Sequence, residues 1–134
     1  MFKLGDTLDK SAVLQLSSVT LAFVGDAVYS LFIREKLVFV KDDKGAVLNK
    51  KASQVVCAKA QADYLDKLLP ILTEEEISVY KRARNTKKGT RAKNASVGEY
   101  NKATGFEALV GFLYLTGQND RLDYLLNYGE QNEN

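Results

Sequence analysis

Apolar residues along this chain recur mostly at helical spacing, and the apolar/polar alternation of a half-buried strand is scarce. Residues 17–38 read as one helix, apolar nearly all round, which emerges into solvent at Arg34, Glu35 and Lys36. Such a helix wants burial on every side. After the turn-like KDDKG, a long pattern over 46–69 carries Val47, Val55, Val56, Tyr64, Leu65 and Leu68 and is stopped by Pro70. Thr73, with Glu76 three residues on, has the capping-box form and predicts a helix to about residue 85. The stretch RNTKKGTRAKNASVG has turn residues and no sustained period, so it reads as an exposed loop. A further helix is predicted over 99–115, ending at Gly117, and a short one over 120–128. The expectation is an all-α fold of five to seven helices in a single domain spanning 1–134, with a basic loop at about 85–98.

Two acids interrupt this apolar pattern. From Ser11 through Ile33 Asp26 is the only charged residue, and between Lys102 and Asp120 the only charge is Glu107. Helical spacing sets both on mainly apolar faces, so both are expected to be largely buried. An ionised carboxylate taken out of water costs several kcal/mol unless a partner offsets it. If the two helices cross at Gly25 and Gly111, whose missing side chains permit close backbone approach, both carboxylates can bind one hard cation through oxygen. The alternatives are that each acid pairs with a buried Lys or Arg, or faces water at a helix edge.

Composition narrows the chemistry. With 46% apolar and 27% charged residues the chain falls in the soluble globular class. It has no histidine, which removes Ser-His and Cys-His nucleophiles and histidine acid/base catalysis. Hydrolysis must therefore lean on carboxylates, lysine or tyrosine, or on a metal that activates water. The lone Cys57 offers neither a disulfide framework nor a thiol metal cluster, fits a reducing cytoplasm, and is expected as a small buried hydrophobe. The N-terminus does not read as a secretory signal, and polar residues break up the apolar run around Asp26, so no membrane span is expected. Between Lys81 and Lys93 stand seven basic residues and no acid, which leaves a net −5 on the rest of a chain whose total is +2. A positive strip on an otherwise acidic protein is the footprint of a phosphate-backbone contact. Without interleaved aromatics it suits a duplex read by shape better than single-strand stacking.

The run LAFVGDAVYSLFIREKL resembles the signature helix of ribonuclease III, and FEALVGFLYLTG resembles that family's second acidic motif. With AKAQADYL and LTEEEISVYKRARNTKKGTRAKN in order, the chain over nearly its whole length resembles the Mini form of the family, which lacks a double-stranded-RNA-binding domain. The resemblance implies an all-helical endonuclease domain acting as a homodimer on double-stranded RNA. It implies Mg²⁺ as cofactor, with Mn²⁺ as a substitute, 5′-phosphate and 3′-hydroxyl ends, and maturation of precursor ribosomal RNA of the large subunit (23S). By position Asp26 and Glu107 match the family's catalytic, metal-holding acids. The segment from about 85 to 98 matches a loop associated with RNA contact, and Arg82, Arg84, Lys87, Lys88, Arg91 and Lys93 are the expected RNA-binding residues. Ordinary ribonuclease III carries two further acids where this chain has Ala22 and Thr104, and the Mini form resembles this chain in lacking them. The rival expectations are a non-catalytic duplex-RNA-binding dimer of ribosome assembly and a helical protein-interaction module.

Overall fold

The structure, a computed structural model, describes residues 3–86 and 96–129. The described residues form seven α-helices and no strand. They are α1 (Lys10–Leu14), α2 (Ser18–Val40), α3 (Gly45–Val56), α4 (Ala58–Leu68), α5 (Glu74–Asn85), α6 (Val97–Leu115) and α7 (Asn119–Leu126), with a 3-10 turn at Leu69–Ile71 after α4.

Helix α6 is the axis of the fold. It packs against α2, α4, α5 and α7, and from Ala103 through Tyr114 every residue but Glu107 is buried. An all-round apolar helix needs neighbours on all sides, and α6 has them. Helix α2, equally apolar, buries Leu21, Val28, Tyr29 and Phe32 but leaves Val19, Phe23 and Leu31 exposed, so the expectation of burial on every side is corrected for the single chain.

The long pattern over 46–69 is two helices, not one. Cys57 takes an extended backbone conformation that ends α3 and opens α4. It is exposed at this elbow and not the buried hydrophobe expected of it; its thiol donates to the Gln54 carbonyl at 3.5 Å. The predicted capping box of α5 is present, with Thr73 Oγ1 accepting from Glu76 N at 3.2 Å and Glu76 Oε1 accepting from Thr73 N at 2.9 Å. A second box, Ser96 with Glu99, starts α6 at Val97, ahead of the predicted residue 99. The short α1, which buries only Val13, was not legible in the periodicity.

Buried Glu76 also receives Arg121 Nε and Nη2 at 2.8 Å each, and Nη2 reaches the Ile71 carbonyl at 2.8 Å, tying α7 to the start of α5. A buried carboxylate with a bidentate guanidinium and a backbone donor is fully compensated. No described helix is long and apolar enough to cross a membrane. The predicted basic loop lies for the most part outside the described residues, which stop at 86 and resume at 96.

Candidate active site

Helices α2 and α6 meet backbone to backbone. A Cβ added at Gly25 would stand 1.7 Å from the Glu107 carbonyl oxygen, and one at Gly111 would stand 2.0 Å from the Leu21 carbonyl oxygen. Only glycine allows this approach, and the crossing inferred from Gly25 and Gly111 is the one the structure contains. Asp26 follows the first glycine and Glu107 lies one turn before the second, so both acids emerge at the crossing and their carboxyl groups share a hydrogen bond. Sequence alone paired these two residues, and the fold brings them together.

Their burial differs from the expectation. Glu107 is half-buried, but Asp26 is exposed. It sits on the stripe of α2 that includes Val19 and Phe23, which no described element of the chain covers. Burial first, then the hydrogen bond and negative charge of Asp26, push the Glu107 carboxyl up from its ordinary 4.5 to about 8, while a hydrogen bond from Gln61 acts the other way.

Two carboxylates held this close, one of them raised by burial and by the other, suit a shared divalent cation that removes their repulsion. Both offer hard oxygen donors, the set that Mg²⁺ and Mn²⁺ take, and Mg²⁺ commonly uses one or two carboxylates, with water and substrate phosphate completing its shell. Among the described residues no group of three or more His, Cys, Asp or Glu side chains is placed to hold a metal. Ala22 and Thr104 are buried, and the Thr104 hydroxyl is spent on the Tyr100 carbonyl at 3.0 Å.

The basic residues divide. Arg82 donates through Nε to Ser18 Oγ at 3.0 Å, through Nη1 to the Leu14 carbonyl at 2.9 Å and through Nη2 to the Leu16 carbonyl at 2.8 Å. It clamps α5 to the α1–α2 turn, a structural task that the charge pattern did not reveal. Arg84 bonds Asn85 Oδ1 at 3.1 Å and lies over the Tyr80 ring, 5.4 Å from its centroid. Lys87, Lys88, Arg91 and Lys93 lie outside the described residues.

Gln61 was missed as a site residue. It is 2% exposed on α4, it lies near enough to lower the Glu107 carboxyl's pKa, and its Nε2 donates to the Val56 carbonyl at 3.1 Å. The signal was available: Gln61 is the polar member of the buried α4 stripe that it forms with Ala62, Leu65 and Leu68. Beside Asp26 an apolar groove of about 420 Å³ is lined by Leu4, Phe23, Val24, Leu31 and Tyr114.

An all-helical core with a glycine-mediated crossing that presents two acids defines a class, and residues 19–118 match the Ribonuclease III domain. The relatives narrow it. The Mini-ribonuclease 3 of Enterococcus faecalis is 48% identical over 126 residues, which span 89% of this chain and 96% of that protein. That of Thermoanaerobacter sp. is 45% identical over 126 residues, 94% of this chain and 89% of the other. The crystal structure of a protein from Fusobacterium nucleatum, 33% identical, superposes with a TM-score of 0.79 over 90% of this chain and 96% of that one. The chain thus belongs to the ribonuclease III family, among its Mini-ribonuclease 3 members, and is an endoribonuclease of that type.

Proposed function

We propose that this protein is a Mg²⁺-dependent endoribonuclease that cuts double-stranded RNA, in the maturation of large-subunit ribosomal RNA, as a cytoplasmic homodimer with one catalytic domain over 1–134 per copy. The convergence of Asp26 and Glu107 at the α2–α6 crossing carries the reading. Asp26, exposed, and Glu107, half-buried, would hold the cation between the helices and face the scissile phosphate. A bound divalent cation there supplies an activated water and offsets charge on the phosphoryl group, leaving 5′-phosphate and 3′-hydroxyl ends. The chain's part is to fix the two carboxylates in place, which the backbone contact at Gly25 and Gly111 does without relying on flexible side chains. Lys87, Lys88, Arg91 and Lys93, with Arg84 at the end of α5, would grip the duplex by its phosphates, with little sequence preference. The exposed stripe of α2 and the groove beside Asp26 form the face on which a second copy would sit, giving one acid pair for each strand.

Labelled duplex RNA incubated with Mg²⁺, and separately with EDTA, tests this. Asp26→Asn and Glu107→Gln are expected to abolish Mg²⁺-dependent cleavage while the helical fold is kept. Unchanged cleavage by either purified variant would overturn the assignment. The reading as a non-catalytic duplex-RNA-binding dimer draws on Ala22 and Thr104, which leave the site two acids only among the described residues. Salt-sensitive RNA binding with no metal-dependent fragments from the wild-type protein would establish it instead.

A further inference from the structure

Helix α3 is long for the little it buries: of its 12 residues only Ala52 is buried. A helix of that length is marginal alone in water, and one that gives the core a single side chain leaves most of its surface to solvent or to a partner. That surface is cationic. From Lys44 through Ala62 the chain has four lysines, Lys44, Lys50, Lys51 and Lys59, and no acid. Two of them are spent, since Lys51 Nζ meets Asp43 Oδ2 at 2.6 Å and Lys59 Nζ meets Asp63 Oδ2 at 2.9 Å. Lys44 and Lys50 are exposed and make no ion pair with a described residue. Across a groove of about 210 Å³ between α2 and α3 stands exposed Arg34, whose Nη1 reaches the Ser30 carbonyl at a long 3.5 Å.

The backbone contact that presents the acids also fixes where this patch lies. Gly25 stands against Glu107 and Gly111 against Leu21, so α2 and α6 run antiparallel. The C-terminal half of α2, on which α3 packs through Leu37 and Val38, therefore points toward the start of α6. Segment 87–95, with its four basic residues, joins α6 at that same end. Arg34 is eight residues beyond Asp26, about 12 Å along the helix. Three unspent cations and the basic segment thus belong to one end of the molecule, with the acid pair at its border.

We propose that α3, with Arg34 of α2, is a second contact for duplex RNA, in which Arg34, Lys44 and Lys50 bind backbone phosphates of the duplex whose cut bond lies at the acid pair. The inference rests on the substrate and acid-pair reading given above. Exposed Asn49 and Gln54 on the same helix add neutral donors suited to phosphate and ribose oxygens. An acidic protein partner fits less well, because α3 carries no aromatic side chain to anchor one. A duplex held at one place can swing about it, whereas two separate grips on its phosphates fix the direction of its axis over the acids.

Arg34→Gln, Lys44→Gln and Lys50→Gln, made singly and together, test this, with Lys67→Gln in the last turn of α4 as a loss of charge elsewhere. Affinity for a labelled duplex RNA is measured in EDTA across a range of salt, and kcat and KM are measured in Mg²⁺. Each single variant is expected to lower the slope of log affinity against log salt by about 1, and the triple variant by about 3. The triple variant should raise KM about 10-fold and keep kcat within about twofold, since the grip is uniform and not confined to the transition state. Lys67→Gln should keep the wild-type slope. A triple variant with wild-type slope and KM overturns the inference, as does a fall in kcat with the slope unchanged, the pattern of a helix that matters only for packing. Polyglutamate binding that the triple variant loses while its RNA slope is kept would assign the patch to an acidic protein and overturn it too. A wild type that neither binds duplex RNA nor yields Mg²⁺-dependent fragments removes the proposed function, and this contact with it. If the wild type cleaves and the triple variant is unaffected, only the role of α3 falls.

Discussion

Burial and the adjacent Asp26 hold the Glu107 carboxyl near 8, well above its ordinary 4.5, and this ties the stability of the metal-free protein to pH. An acid whose pKa is raised by folding stabilises the folded state fully below the unfolded value and loses that contribution as pH climbs through the folded one. Melting temperatures in EDTA are therefore expected to fall for the wild type, relative to Glu107→Gln, as pH is raised from 4.5 to 8, and to level off above. Mg²⁺ should reverse the loss at the alkaline end, since binding requires the deprotonated carboxylate. Parallel curves for the two proteins would rule out the raised pKa. At this scale the sequence was informative about which two acids meet, because each was the only charge in a long apolar run. It was uninformative about exposure: whether Asp26 faces core or solvent depends on what packs against α2, and that is decided by residues far away in the chain.

Among the elements, α2 and α6 carry the candidate site, and their contact is steric. Gly111→Ala places a methyl group against the Leu21 carbonyl and must force the helices apart, at a cost of about 3 kcal/mol, readable as a lower denaturation midpoint. Gly98, in the first turn of the same helix, has nothing within 4 Å of an added Cβ. There the substitution is expected to stabilise by about 0.5 kcal/mol through the unfolded chain. Equal effects at the two positions would show that helix propensity, and not the crossing, governs α6. The crossing itself was legible, because a glycine stands next to one isolated acid and a turn away from the other. The break at Cys57 was not, because no proline or glycine marks it and the apolar spacing continues through it; the elbow is imposed by packing. The α6 start was readable in principle, since Ser96 and Glu99 have the same form as Thr73 and Glu76, but the basic run before them masked it.

For the whole molecule, the stripe of α2 that no described element covers departs from a self-sufficient fold. Phe23 is 80% exposed beside the groove that Leu4, Leu31 and Tyr114 line. Large apolar groups gathered in this way mark an interaction face, and a two-fold pairing would use the same patch on both copies. Phe23→Asp is expected to shift the protein from dimer to monomer in sedimentation at micromolar concentration while its helical content stays. A wild type that sediments as a monomer would remove the homodimer from the proposal. The N-terminal segment belongs to this face as well, because Leu4 N donates to the Tyr114 hydroxyl at 2.8 Å and Leu8 N to the Leu115 carbonyl at 2.9 Å. Last, the chain's one cysteine is exposed at the α3–α4 elbow, four residues from Gln61. Chemistry therefore offers a ready-made optical handle: a single maleimide dye attaches at one known point without any mutation, and its emission reports on the surroundings of the α3–α4 elbow.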